Sequence, residues 1–127
     1  MQIGKAIQGA MNDQIHKELE SAYLYLAMSA YFSGTNHPGA ASWMRAQARE
    51  EVGHAMKFTD FVEDRGGSIA LRALAAPPAT FASPLAAFDG VTSAPVVKPG
   101  WLAFSMMSAS PCTRAKKPVA AALIRAA

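Results

Sequence analysis

Between Ala10 and Phe32 the chain runs without a glycine or a proline, and then "SGTNHPGA" brings Gly34, Pro38 and Gly39 close together. A long unbroken run closed by a cluster of breakers is the pattern of a helix followed by a tight turn. Within the run, Ile15, Leu19, Ala22, Leu26 and Ser29 recur at three- and four-residue steps. That spacing predicts a helix from about Ile7 to Phe32 with this set on its buried face. After the break, Asn36 or His37 is placed to cap a second helix that takes Pro38 in its first turn. Met44, Gln47, Glu51, His54, Phe58 and Phe61 form the stripe of that helix, and the two glycines of "EDRGGS" end it. Two long helices joined by so short a loop run antiparallel. The expectation is an all-α chain with a helical hairpin over residues 1–67. An irregular, extended crossover follows over 68–90, and a basic tail rich in proline, alanine and serine over 91–127.

Charge divides at the same place. Up to Asp64 the chain holds eight of its nine acids and five of its twelve basic residues; from Arg65 onward there are seven basic residues and one acid, Asp89. The net charge of +3 therefore averages two unlike halves and is weak support for a nucleic-acid partner. The most basic stretch, "TRAKKPVAAALIR", has no interleaved aromatic and no known reading motif, so nucleic acid is not expected as a partner. Cys112 is the single cysteine, which excludes an internal disulfide framework. No run is long and apolar enough for a membrane span, and "MQIGKAIQGAMNDQIHKELE" lacks the apolar core of a secretion signal; a cytoplasmic location is expected.

The chemistry is concentrated in "AREEVGHAMKF", where Glu50, Glu51 and His54 interrupt an otherwise apolar helical run. A buried charge is costly unless it is paired or bound to a metal. Glu51 and His54, three residues apart, point the same way, and on the first helix Glu18 and Tyr25 share a face seven residues apart. In an antiparallel hairpin one glutamate can thus converge with a Glu-x-x-His pair. Two carboxylates and an imidazole suit iron or manganese, with zinc also admissible, and four-helix di-metal proteins use this kit twice over. Glu-x-x-His also occurs on ordinary solvated faces. On the residues alone His54 can equally be a hydrogen-bonded core histidine, Tyr25 a packing residue and Glu50 a solvated charge.

Three segments, "MNDQIHKELESAYLYLAMSAYFS", "GAASWMRAQAREEVGHAMKFTDFVEDRGGSIAL" and "SPLAAFDGV", resemble the first two helices and the long crossover of bacterial non-haem ferritins, from about Met11 to Gly90. The resemblance implies a ferritin-like fold, the first half of a four-helix bundle. It further implies Fe(II) oxidation by O2 and iron storage in an oligomer of like subunits, with Fe(II) and O2 as partners. By the same resemblance Glu18 is the first-helix ligand of a di-iron centre, Glu51 bridges the two irons and His54 completes the shell of the first. Glu50 belongs to a nearby third iron site, and Tyr25 supports electron transfer beside the centre. The haem-binding relatives usually carry methionine directly after the bridging glutamate; here that position is Val52, so no haem is expected, and Met44 and Met56 are read as core.

The resemblance stops where the third and fourth helices should supply further glutamates, because no Asp or Glu follows Asp89. Serine, proline and lysine do not replace bridging carboxylates. One explanation is a change of reading frame near Val91. Another is a two-helix protein that completes its site by dimerisation, each copy giving one Glu18 and one Glu51-x-x-His54 set. A third is a non-catalytic or truncated hairpin that packs into an assembly with full-length ferritin subunits.

Overall fold

The computed structural model describes residues 2–93; the tail beyond Ser93 lies outside the described residues, together with the readings that fall on it. Three helices are present among the described residues: α1 over Lys5–Gly34, α2 over Pro38–Glu63 and α3 over Pro84–Ser93. The first two pack along their lengths as the antiparallel hairpin, and no strand occurs among the described residues.

The turn between α1 and α2 is short because one residue reverses the chain. Asn36 takes a left-handed backbone (φ 59°), a conformation asparagine tolerates better than most residues. The His37 amide then reaches back to the Phe32 carbonyl at 2.9 Å, which satisfies an end of α1. Asn36 thus closes α1 rather than capping α2. His37 occupies the cap position of α2 without a side-chain hydrogen bond there, and Pro38 opens the helix. Gly66 does the same work at the far end (φ 64°), with its own amide bonded to Glu63 and that of Gly67 to Val62 at 2.9 Å each. A β-carbon at Gly67 would lie 2.7 Å from Val62 Cγ1 and 2.8 Å from Ile3 Cγ2, so this glycine is required for close approach.

The chain then turns back along α1. Gln8 bonds Ser68, Asn12 bonds both the Ser68 carbonyl and the Ala70 amide, and Arg72 pairs with Asp13 at 2.9 Å. From Ser68 to Phe81 an extended chain reaches about 40 Å. That is enough to return from Gln8 to Tyr31, which are roughly 35 Å apart along a helix. Phe81 meets the Tyr31 ring edge-on at 5.2 Å, so the crossover traverses the hairpin from one end to the other.

The extended reading applies to residues 68–80; from Pro84 the chain is helical. Ser83 starts α3 by accepting the Ala86 amide on its hydroxyl at 3.0 Å, and proline follows in the first turn. Ala87 is fully buried and Phe88 lies 5.2 Å from Phe32 and 6.1 Å from Trp43, so α3 covers the turn end of the hairpin.

The core is displaced from the expected stripes. On α1 it consists of Ile15, Glu18, Ser21, Ala22, Tyr25, Met28, Ser29 and Phe32, and Leu26 is half exposed instead. On α2 it takes Ala41, Met44, Gln47, Ala48, Glu51, Ala55 and Val62. Met44 is fully buried as expected, whereas Met56 is 55% exposed. Alanines at the contact bring the helices close enough for the Ser29 hydroxyl of α1 to bond the Ala41 carbonyl of α2 at 2.9 Å.

Candidate metal centre

Glu18 sits mid-way along α1 and Glu51 mid-way along α2, so the antiparallel pairing sets them opposite one another. Both are essentially excluded from water, at 1% and 2% exposure. His54, one turn beyond Glu51, is the partly open member, its side chain 28% exposed. Its Nδ1 lies 3.2 Å from Glu51 Oε2 and 3.6 Å from Glu18 Oε2. One ligand atom from each of the three residues falls within 4.8 Å of the others.

That spacing suits a single ion. Neighbouring donors on a cation with bonds near 2.1 Å stand about 3 Å apart, close to the 3.2 and 3.6 Å that separate His54 Nδ1 from the two carboxylates. Two carboxylates also neutralise a divalent charge, which removes the penalty of burying either alone. The donor set of two oxygens and one imidazole nitrogen favours iron, manganese or zinc over calcium or a soft metal.

Without a cation, protons hold the cluster together. Burial is the largest influence on Glu51, and its carboxyl is pushed up to about 7, with His54 pulling down and Glu18 pushing up. The Glu18 and Glu51 carboxylates, in that order, raise His54 to about 9 against the opposing effect of burial. At neutral pH His54 is therefore cationic and directs Nδ1–H at the carboxylates, on the same side from which a metal would be bound.

Around this cluster the neighbours are polar and fixed. Gln14, one turn before Glu18, donates from Nε2 to Glu18 Oε1 at 2.7 Å, and Gln47 donates to Glu50 Oε2 at 2.9 Å. Neither contact stood out in the sequence, although both follow helical spacing, four residues in one case and three in the other. Tyr25 is buried on the Glu18 face of α1. Burial first, then the charges of Glu51 and Glu50, push its hydroxyl well above the usual tyrosine range, so it stays protonated and can donate. Of the five residues singled out from sequence, the structure gathers Glu18, Glu51 and His54 into one group. Tyr25 lies within the electrostatic reach of that group, while Glu50 is half-buried, engaged by Gln47 and outside the group.

Comparison with known proteins follows the same outline. Residues 8–93 match the family model described as the ferritin-like domain. The chain is similar to the bacterial non-heme ferritin of Bacteroides fragilis, 38% identical over 89 residues, covering 70% of this chain and 56% of that protein. It is similar also to that of Staphylococcus aureus, 36% identical over 86 residues, covering 68% and 52%. The chain thus spans about half the length of the curated relatives it matches. Among solved structures, a humanized archaeal ferritin superposes with a TM-score of 0.68 at 47% identity, over 70% of this chain and 55% of that one. An open-pore ferritin from the hyperthermophilic archaeon Archaeoglobus fulgidus gives 0.71 at 37% identity, over 97% and 73%. Among the described residues no helix is long and apolar enough to cross a membrane.

Proposed function

The chain belongs to the ferritin family, and from that premise we propose that it binds Fe(II) through Glu18, Glu51 and His54 as one half of a di-iron carboxylate site. At that site Fe(II) is oxidised by O2, and the ferric product is stored in an assembly of like subunits. The observation that carries this reading is the convergence of three ligand atoms from two helices within 4.8 Å, around two buried carboxylates.

The chain's own contribution is positional and electrostatic. Glu18 and Glu51 offer hard oxygen donors that favour the ferric over the ferrous ion, which assists electron loss to O2. His54 supplies Nδ1 once its proton has left, and its partial exposure gives the cluster its contact with solvent. Gln14 holds Glu18 Oε1 in place at 2.7 Å and leaves Oε2 directed at His54. Tyr25, kept protonated, is a hydrogen donor beside the centre rather than a ligand. Glu50 lies on the adjacent flank of α2, one residue from the bridging position, where a further iron could be held.

The test is anaerobic titration with Fe(II), followed by admission of air and measurement of the near-ultraviolet absorbance of Fe(III). The parent chain should bind Fe(II) stoichiometrically and develop the absorbance rapidly, and Glu51→Ala should abolish the rapid phase. A Glu51→Ala chain that oxidises iron as fast as the parent refutes the assignment.

A further inference from the structure

Glu18 holds its two carboxylate oxygens in different directions. Oε2 faces α2, 3.6 Å from His54 Nδ1. Oε1 faces along α1 and accepts the side-chain amide of Gln14 at 2.7 Å. Gln14 stands one turn before Glu18, the spacing at which two side chains of a helix meet. A carboxylate only accepts, so the NH2 of the glutamine must face it, and chemistry alone sets the orientation of that amide. The bond is short for N–H···O, in the range of donors that meet an ionised acceptor. Gln14 is half-buried and Glu18 is 1% exposed, so water competes little for either partner. On a solvated face such a pair would only steady its helix; here it fixes a buried ligand.

A carboxylate can hold a cation by one oxygen or by both. Holding by both turns the two oxygens to a common point, and Oε1 would then have to leave the Gln14 amide. Large cations gain from that change. Calcium collects roughly six to eight oxygens at about 2.3–2.6 Å and often takes both oxygens of a carboxylate. Small ions such as Zn(II) close their shell with about four donors near 2.0–2.3 Å and need one oxygen from each carboxylate. Resting on the proposed metal-site reading, we propose that Gln14 is a specificity-determining residue of the centre. By keeping Oε1 it confines Glu18 to one-oxygen coordination, which serves Fe(II), Co(II) or Zn(II) and leaves a calcium-sized ion short of a ligand. The device works by denying the wrong ion an atom rather than by adding a contact to the right one. It is separate from the preference that His54 confers, because the imidazole nitrogen is offered whichever way Glu18 binds.

Competition on the full chain tests this, with Co(II) as the coloured probe and Ca(II) as the competitor. The parent should bind Co(II), and Ca(II) should displace it only at large excess. Gln14→Met, close in length but without the donor, should remain helical by circular dichroism. Its preference for Co(II) over Ca(II) should narrow by about tenfold or more, the scale on which support of a metal ligand acts. Its Co(II) visible bands should also weaken, because a second oxygen from Glu18 raises the coordination number. Gln14→Lys restores a donor and should keep both the preference and the band intensity, since its added charge weakens both divalent ions alike. A Gln14→Met chain whose affinities for the two ions change by the same factor, with the bands unchanged, makes Gln14 a structural contact; it overturns the proposal and leaves the metal-site reading intact. A parent chain from which equimolar Ca(II) displaces Co(II) overturns the selectivity itself. A parent chain that binds no Co(II) overturns both the proposal and the reading on which it rests.

Discussion

Replacing Glu51 by glutamine should make the metal-free chain more stable at mildly alkaline pH while destroying the metal site. On folding, the carboxyl moves from 4.5 to about 7, chiefly through burial. At about 1.4 kcal/mol per unit, the ionised form is disfavoured in the fold by roughly 3 kcal/mol. The folded chain retains a proton that the unfolded chain releases between those two values. Stability from this group therefore falls as pH rises from 4.5 to about 7, and the penalty is complete above that. His54 acts differently. Its stabilisation, from a value raised from 6.5 to about 9, is whole below 6.5 and lost as pH rises toward 9. Glutamine removes the Glu51 penalty but also the Glu51 carboxylate's share of the stabilisation of protonated His54, leaving that of Glu18. The net expectation is a gain of about 1–2 kcal/mol near pH 8, shrinking to nothing as the pH approaches 4.5. Urea midpoints in EDTA at both pH values measure it, with the slope checked for constancy. Excess Co(II) should reverse the order, because only the parent gains the binding free energy of the ion. A Glu51→Gln chain less stable than the parent near pH 8 in EDTA, with an unchanged slope, refutes the account of Glu51 as a costly buried charge.

Other consequences are open to simple tests. Co(II) affinity should fall as pH falls through about 7, where Glu51 takes up its proton, since metal and proton compete for the same oxygens; calorimetric titrations on either side of that value that agree in affinity refute the competition. Phe32, fully buried between Tyr31, His37 and Phe88, should cost about 3–5 kcal/mol on truncation to alanine, read as a loss of urea midpoint. Gly67→Ala should cost about 1–3 kcal/mol by thermal unfolding, because its β-carbon would stand 2.7 Å from Val62 and 2.8 Å from Ile3. Ser83→Ala should cost about 1 kcal/mol and show as faster hydrogen exchange confined to the first turn of α3, where the Ala86 amide loses its acceptor.

The hairpin was legible in the sequence because it is written in local terms. An unbroken run, a turn with Asn36 and Pro38 and a closing glycine pair each act over a few residues, and helical spacing alone puts Glu51 beside His54. Pro77, Pro78 and Pro84 made the whole of 68–90 read as extended, although Ser83 followed by proline is a helix start of the same local kind and α3 begins there. What the sequence left undecided is which flank of each helix would be buried. Leu19 and Leu26 drew the α1 stripe toward one side, while the packed side runs through Tyr25, Met28 and Phe32. On α2 the contact is built on Ala41, Ala48 and Ala55, whose small side chains are nearly silent in any hydrophobic pattern but let the two backbones approach. Only that packing excludes water from Glu18 and Glu51, brings carboxylates from two helices to one histidine and raises Glu51 to about 7. The sequence thus determined which donors the chain owns and on which helix each stands. Their distances and protonation depend on the dielectric and the neighbours that each side chain meets across the interface, and the tertiary structure alone decides those.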